Sequence, residues 1–181
     1  FTGAPKHVEN NLGNFLELDF TSFKEVGEYT VNYKISAEGY DDLIGSNKVK
    51  IYGIKNVDNT MILKDNVLLI TNYNNEFTNI CNNITVFAKS YEFQHIDKNG
   101  EIVIDELIKT GEKIRVNING QTDIEYTLAI LGDINGDGKI NIKDWNRMYD
   151  HINETSILTD YHLLCGDINR DGKVNIKDWN R

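Results

Sequence analysis

The carboxyl-terminal part of the chain contains one 16-residue motif twice. The motif reads GDINGDGKINIKDWNR at residues 132–147 and GDINRDGKVNIKDWNR at residues 166–181. The copies differ at two positions, where Gly136 and Ile140 correspond to Arg170 and Val174. So close a repeat indicates that one small structural unit is used twice, and that both copies adopt nearly the same fold.

Each copy carries oxygen-bearing side chains in the pattern D-x-N-x-D-G-x-x-N-x-x-D. Calcium takes about six to eight oxygens, and a twelve-residue loop supplies them from positions 1, 3, 5, 7, 9 and 12, with glycine at position 6. Zinc does not fit, because the ligands are oxygens and no Cys/His cluster is present. The sequence therefore predicts two calcium ions. The predicted ligands, which include the backbone carbonyl of the lysine at position 7, are Asp133, Asn135, Asp137, Lys139, Asn141 and Asp144, then Asp167, Asn169, Asp171, Lys173, Asn175 and Asp178.

The segments beside the first loop indicate a loop followed by a helix, without an entering helix. Residues 125–131 alternate between apolar and polar side chains, which predicts a β-strand. A helix is expected from about residue 144 to about residue 153, with Trp145, Met148 and Ile152 as its buried stripe. A small helix beginning after Thr159 is expected in the connector between the copies.

Two loop–helix units with Asp at loop position 12 and a short connector resemble type I dockerins. The resemblance covers residues 132–181 and implies a module that folds on calcium and binds a cohesin. The final helix is expected to be truncated, because the given chain ends three residues after Asp178. The residues that the resemblance assigns to the cohesin-binding face are Ile142, Lys143, Arg147, Tyr149, Asp150, Glu154, Ile176, Lys177 and Arg181.

The Ile-Lys pair at loop positions 10 and 11 departs from the hydroxyl or small residues of many dockerins, so the class of cohesin stays open. Because both copies carry this pair, the module is expected to present nearly the same face after a half-turn. Two binding orientations and a single orientation both remain possible.

The first 131 residues contain β-like segments rich in β-branched and aromatic residues. Residues 1–52 resemble Ig-like repeats of bacterial surface proteins. Residues 53–131 resemble the β-rich X-module that precedes dockerins in cellulosome- or amylosome-type scaffold proteins of gut Firmicutes. The expected fold class is mixed and multi-modular: mainly β, as an Ig-like or X-module sandwich, followed by a small all-α dockerin of paired F-hands. The segments expected to form strands are 15–20, 28–35, 48–52, 67–70, 85–87 and 101–104.

Composition excludes several other classes of function. The net charge is −9 and no basic patch occurs, which argues against nucleic acid as a partner. No long apolar run predicts membrane insertion, and two cysteines are too few for a disulfide scaffold. A Cys81–Cys165 bridge and two free thiols both remain open. The four histidines are scattered through the sequence, which gives no support to an enzyme.

The function expected is a secreted or cell-surface protein. Its dockerin and adjoining X-module would anchor a polysaccharide-degrading or scaffold protein to a cohesin. The alternative is an adhesin or carbohydrate-binding fragment whose calcium loops are structural. In that case Tyr73, Tyr91 or Phe93 would form a sugar-binding platform, although the alternating strands favour core packing as the explanation of such aromatic residues.

Overall fold

The computed structural model describes residues 25–36, 41–104 and 107–181. The chain divides into two compact units, Phe1–Gly53 and Ile54–Arg181. The strand expected at residues 15–20 lies outside the described residues. The boundary expected between residues 131 and 132 falls inside the second compact unit.

The described part of the first unit is an antiparallel pair of strands. Strand β1 spans Gly27–Ile35 and strand β2 spans Leu43–Ile51. Burial alternates along the whole of β1, as the alternation of Tyr and Val with polar residues predicts. Salt bridges on the exposed face link Glu28 to Lys48 and Lys50.

The second unit is built on a six-stranded mixed sheet with the strand order β4-β5-β10-β9-β7-β8. Its neighbouring strands are antiparallel except for β5 and β10, which are parallel. A separate antiparallel pair joins β3 to β6. The strands are β3 Ile54–Val57, β4 Met61–Lys64, β5 Val67–Ile70, β6 Ile84–Val86, β7 Tyr91–Ile96, β8 Ile102–Val103, β9 Lys113–Ile118 and β10 Ile124–Ile130. The helices are α1 Phe77–Asn82, α2 Ile142–Ile152, α3 Asp160–Gly166 and α4 Ile176–Trp179.

One face of the six-stranded sheet packs against β3, β6 and α1. The side chains of Ile114 and Tyr126 lie opposite each other on this face. The hydroxyl of Tyr126 accepts a hydrogen bond of 2.9 Å from the amide of Ile54. On the same face, His95 stacks on Phe77 with ring centroids 5.2 Å apart. These contacts place the main β core between the sheet and its smaller covering layer.

The opposite face of β5 and β10 packs against the carboxyl-terminal helices. Leu69 of β5 and Ala129 of β10 are buried in one cluster with side chains of the repeat segment. The helical segment therefore completes its core with strand residues that precede the repeat. The other buried members of this cluster are Ile134, Met148, Leu158 and Cys165.

The predicted fold class is wrong in its division between a β sandwich and an all-α module. Among the described residues, strands make up 37% and helices 19%, and the four helices found there are short. The three helices after the sheet have 11, 7 and 4 residues, and loops separate them. Residues 132–141 and 166–175 lie mostly in turns closed by their own hydrogen bonds, so the helices that remain are too short to enclose a core by themselves. The parallel pairing of β5 with β10 differs from a sandwich of antiparallel sheets.

Several local expectations correspond to elements of the structure. Strand β10 matches the segment predicted at 125–131, and α2 starts at Ile142, two residues before the expected position. Helix α3 follows Thr159, as expected. Cys81 and Cys165 are free thiols, and burial raises the pKa of each to about 12.

Candidate metal centre

The first loop holds its two end carboxylates with backbone amides of the loop itself. Asp133 accepts hydrogen bonds from the amides of Asp137 at 3.1 Å and Gly138 at 3.2 Å. Asp144 accepts from the amides of Asn135 and Asn141, both at 2.9 Å. This closes the loop, because position 12 is bonded to position 3 and position 1 to positions 5 and 6.

The second loop repeats these bonds at every corresponding atom. Asp167 accepts from the amides of Asp171 at 3.0 Å and Gly172 at 2.8 Å. Asp178 accepts from the amides of Asn169 and Asn175, both at 3.0 Å. The near-identical sequences thus produce near-identical loops, as the repeat predicts.

The loop carboxylates fit a bound cation. Asp133 and Asp144 are fully buried, and in the described part of the chain no basic side chain forms a salt bridge with either. Burial, together with the nearby charge of Asp133, raises the pKa of Asp144, although amide hydrogen bonds oppose this shift. Buried carboxylates that share one site are stabilised by a cation.

The carboxylates alone do not form a complete metal site. No group of three or more His, Cys, Asp or Glu side chains among residues 25–36, 41–104 and 107–181 is placed to hold a metal ion. A cation held here would also need amide and carbonyl oxygens, which calcium loops use beside carboxylates. Asn135 supplies one such amide oxygen inside the loop, where it accepts a hydrogen bond from the amide of Asp137. The Nδ2 atom of the same side chain is buried and lacks a hydrogen-bond partner in the described residues.

The asparagine at loop position 9 has a structural role in both copies. The side-chain oxygen of Asn141 accepts from the amide of Lys143, and that of Asn175 accepts from Lys177, each at 3.0 Å. Together with the Asp at position 12, each asparagine forms a capping box that starts the following helix. If the asparagine at loop position 9 also binds calcium, as the sequence predicts, it would do so in addition to capping the helix.

An exposed apolar face lies beside the two loops. The exposed fractions are 67% for Ile142, 43% for Trp145, 55% for Tyr149 and 56% for Ile176. Trp179 joins the two helices, because its ring centroid lies 5.0 Å from that of Trp145 and 5.6 Å from that of Tyr149. An exposed cluster of large apolar side chains on a protein surface is typical of a docking site.

Trp145 corrects the predicted buried stripe of the first helix. Met148 is buried and Ile152 is partly buried in the cluster that reaches the sheet. Trp145 instead lies on the exposed side and contacts Trp179. The helical period alone did not identify which neighbour covers each side of the helix.

The other residues predicted at the partner face differ in their contacts. Lys143, Lys177, Glu154 and Arg181 are exposed, and Lys143 Nζ lies 3.7 Å from the Asp137 carboxylate in a salt bridge. Arg147 donates a hydrogen bond of 3.0 Å to the hydroxyl of Ser156, which ties it to the connector. The backbone carbonyl of Asp150 accepts from Thr155 at the end of α2.

Three residues outside the repeat hold the first loop, and the sequence patterns did not identify them. The amide of Thr110 donates to Asp133 Oδ2 at 3.0 Å. Lys98 Nζ donates to the carbonyl of Gly136 at 2.8 Å, and Asn75 Nδ2 contacts the carbonyl of Gly138 at 3.5 Å. One residue of the sequence indicates that the first loop is contacted from outside: the first copy has Gly136 where the second copy has Arg170.

Two of the aromatic residues considered for a sugar platform lie at the border of the β core. Tyr91 and Phe93 contact each other edge to face, with centroids 5.3 Å apart. They pair with the buried residues Ile118 and Val116 of β9, so they border the β core. Tyr73 is exposed and belongs to a different segment.

Comparisons with known proteins agree with the geometry of the repeat segment. No curated protein and no solved structure matches the chain. The family model described as the dockerin type I domain matches residues 131–181. In the described residues, no helix has the length and apolar character needed to cross a membrane. Residues 131–181 therefore match the dockerin type I family, whose members are protein-interaction modules that bind cohesins in calcium-dependent assemblies.

Proposed function

We propose that this chain binds a cohesin through the exposed face formed by α2 and α4, and so attaches a secreted protein to a larger complex. The observation that carries the proposal is the exposed apolar group of Ile142, Trp145, Tyr149 and Ile176 beside two matched loops. Large apolar and aromatic side chains supply most of the binding energy in protein interfaces. The complex would assemble outside the cell, where calcium is abundant.

We propose further that each loop holds one calcium ion through the ligands predicted from the sequence. Bound calcium supplies the positive charge that the buried carboxylates otherwise lack. The loop ends directly precede the residues of the face, since Asn141 begins the helix that carries Ile142. Ordering of the loops therefore orders the face, because metal binding is coupled to folding in such sites.

The face is repeated, which supports two binding orientations. Ile142 and Ile176 occupy the same position in their loops, follow the same capping box and are exposed to a similar degree. Lys143 and Lys177 follow them in the same order. A partner that contacts mainly one copy would accept either copy after rotation of the dockerin.

The β region 54–130 has a supporting role in this proposal. Leu69 and Ala129 complete the core of the dockerin, so the face is carried by a body larger than the repeat itself. This is the role that we assign to the predicted X-module. The proteins or polysaccharides served by the complete assembly depend on the partner cohesin.

The proposal is tested by substitutions at equivalent positions of the two copies. Ile142→Asp, Ile176→Asp and the double variant are compared for binding to immobilised cohesins of several classes. Both side chains are exposed, so thermal unfolding should change little and serves as the folding control. With two orientations, each single variant keeps measurable binding and the double variant loses it. Unchanged binding by the double variant would show that the partner uses another surface.

A further inference from the structure

The first loop is held from outside the repeat by the sheet. Residues 108–111 pass directly over it, and Thr110 is fully buried there. Besides the bond from its amide to Asp133, Thr110 accepts a hydrogen bond of 2.9 Å from the amide of Ile130. Lys98 bonds to the Gly136 carbonyl on the same side. Thus a metal-ligating carboxylate and the turn of the loop are both fixed to the β region.

The second loop lacks these contacts in the described part of the chain. Asp167 accepts hydrogen bonds from the amides of Asp171 and Gly172, both from its own loop. A β-carbon added to Gly172 would meet nothing within 4 Å. The second loop is consequently open to solvent where the first is covered.

This difference explains one of the two substitutions between the copies. A β-carbon on Gly136 would lie 2.7 Å from the backbone carbonyl oxygen of Thr110, which is closer than such atoms approach. Arg170 occupies the same loop position with φ of 60°, similar to the 71° of Gly136. Backbone conformation alone therefore does not require glycine in the first copy, whereas contact with the β region does.

We infer that Thr110 and Lys98 are positioning residues for the first calcium loop, so that the two loops bind calcium unequally. This inference rests on the proposed calcium loops. The first loop is already held in its closed form by the sheet, whereas the second must pay the ordering entropy on binding. Partners that orient metal ligands change affinity by about 10-fold or more. We expect the first loop to fill at about tenfold lower free calcium than the second.

The test uses the complete chain and a separate signal from each loop. Gly138 and Gly172 occupy loop position 6, and their amides donate to Asp133 and Asp167 respectively. Their amide resonances in a nitrogen-15 NMR spectrum therefore report the state of each loop. A titration with buffered free calcium gives one midpoint for each loop without removing any ligand.

A matched set of variants separates the contact with the sheet from backbone strain. Gly is compared with Ala at loop position 4 in both copies: the natural chain against Gly136→Ala, and Arg170→Gly against Arg170→Ala. Alanine at positive φ introduces the same strain in each loop, but only in the first does its β-carbon meet Thr110. We expect alanine to raise the midpoint of the first loop about tenfold and that of the second less than about threefold.

A second comparison avoids substitution within the loop. Lys98→Gln and Lys98→Met both remove the charge, but only Lys98→Met removes the donor to the Gly136 carbonyl. The methionine variant should raise the midpoint of the first loop above that of the glutamine variant and leave the second loop's midpoint in place. Equal alanine effects in the two loops, or equal midpoints for the two Lys98 variants, would overturn the inference. Absence of any response to calcium would instead refute the proposed calcium loops.

Discussion

Replacement of Leu69 by alanine should destabilise the dockerin although Leu69 belongs to a strand of the sheet. Leu69 is 5% exposed and packs with Ile134, Met148, Leu158 and Cys165. The substitution removes three carbons, each worth about 0.8 kcal/mol when buried. The cavity left in a partly rigid core adds to this loss, so the free energy of unfolding should fall by about 3–4 kcal/mol.

Ile62 provides the matched control for this substitution. It is the direct cross-strand partner of Leu69 and lies on the same face of the sheet, but its exposed fraction is 38%. Ile62→Ala also removes three carbons, without opening a closed cavity. We expect its cost to be about 1.5 kcal/mol, because part of the side chain already contacts solvent.

The assay is denaturant unfolding at saturating calcium, followed by two signals. Trp145 and Trp179 are the two tryptophans of the chain, so fluorescence reports on the dockerin segment. Far-ultraviolet circular dichroism sums over the helices and strands of the whole chain, so it includes the sheet, which has no tryptophan. The two transitions of residues 54–181 should coincide and move together in Leu69→Ala, as expected for one cooperative unit. A fluorescence transition that Leu69→Ala leaves unchanged would refute the shared core.

Three further predictions address the loops and the β core. Asp133→Ala and Asp167→Ala should each lower the calcium stoichiometry in calorimetry by one ion, whereas an unchanged stoichiometry would contradict the ligand assignment. Asn141→Ala should destabilise the calcium-free protein by about 1 kcal/mol through loss of a helix cap, and Asn141→Ser, which restores a capping oxygen, should recover most of it. Burial disfavours the charged form of Glu112, but hydrogen bonds from His95 and the Lys109 amide, with their nearby charges, outweigh it and lower its pKa. Glu112 therefore stabilises the fold above its unfolded pKa of about 4.3. That contribution should be lost as the pH falls through the lower folded value, so Glu112→Gln should flatten the acid side of a stability profile measured in chelator.

The local parts of this structure could be predicted from sequence because their determinants are close together in the chain. Both loops are specified by Asp, Asn and Gly residues within twelve positions, and each closes on its own amides. Strand β10 follows from alternation and helix α2 from its helical period, although α2 starts two residues before the expected position. These features depend on neighbouring residues, which a sequence displays directly.

The features that the sequence did not reveal depend on contacts between distant segments. The parallel pairing of β5 and β10 joins strands separated by more than fifty residues, and no local pattern marks it. Leu69 and Ala129 look like ordinary strand residues, although they complete the core of the dockerin. The helical period predicts Trp145 on the buried side, but periodicity does not tell which side of a helix its neighbours cover.

The contact between the β region and the first loop was encoded in a single difference between the copies. Gly136 and Arg170 stand at the same loop position with similar backbone angles. From the sequence of the repeat alone, this difference cannot be distinguished from a neutral substitution that followed the duplication. With the structure, it marks the place where the carbonyl of Thr110 approaches the loop. Small differences inside a close repeat are therefore informative about what surrounds each copy.

Calcium-dependent binding to a cohesin tests the central claim most directly. Isothermal titration calorimetry of the complete chain against a panel of cohesins should be performed in calcium and again after chelation with EDTA. We predict binding to at least one cohesin in calcium, loss of that binding in EDTA, and recovery when excess calcium is restored. Tight binding that survives EDTA would contradict a partner face that depends on the calcium loops.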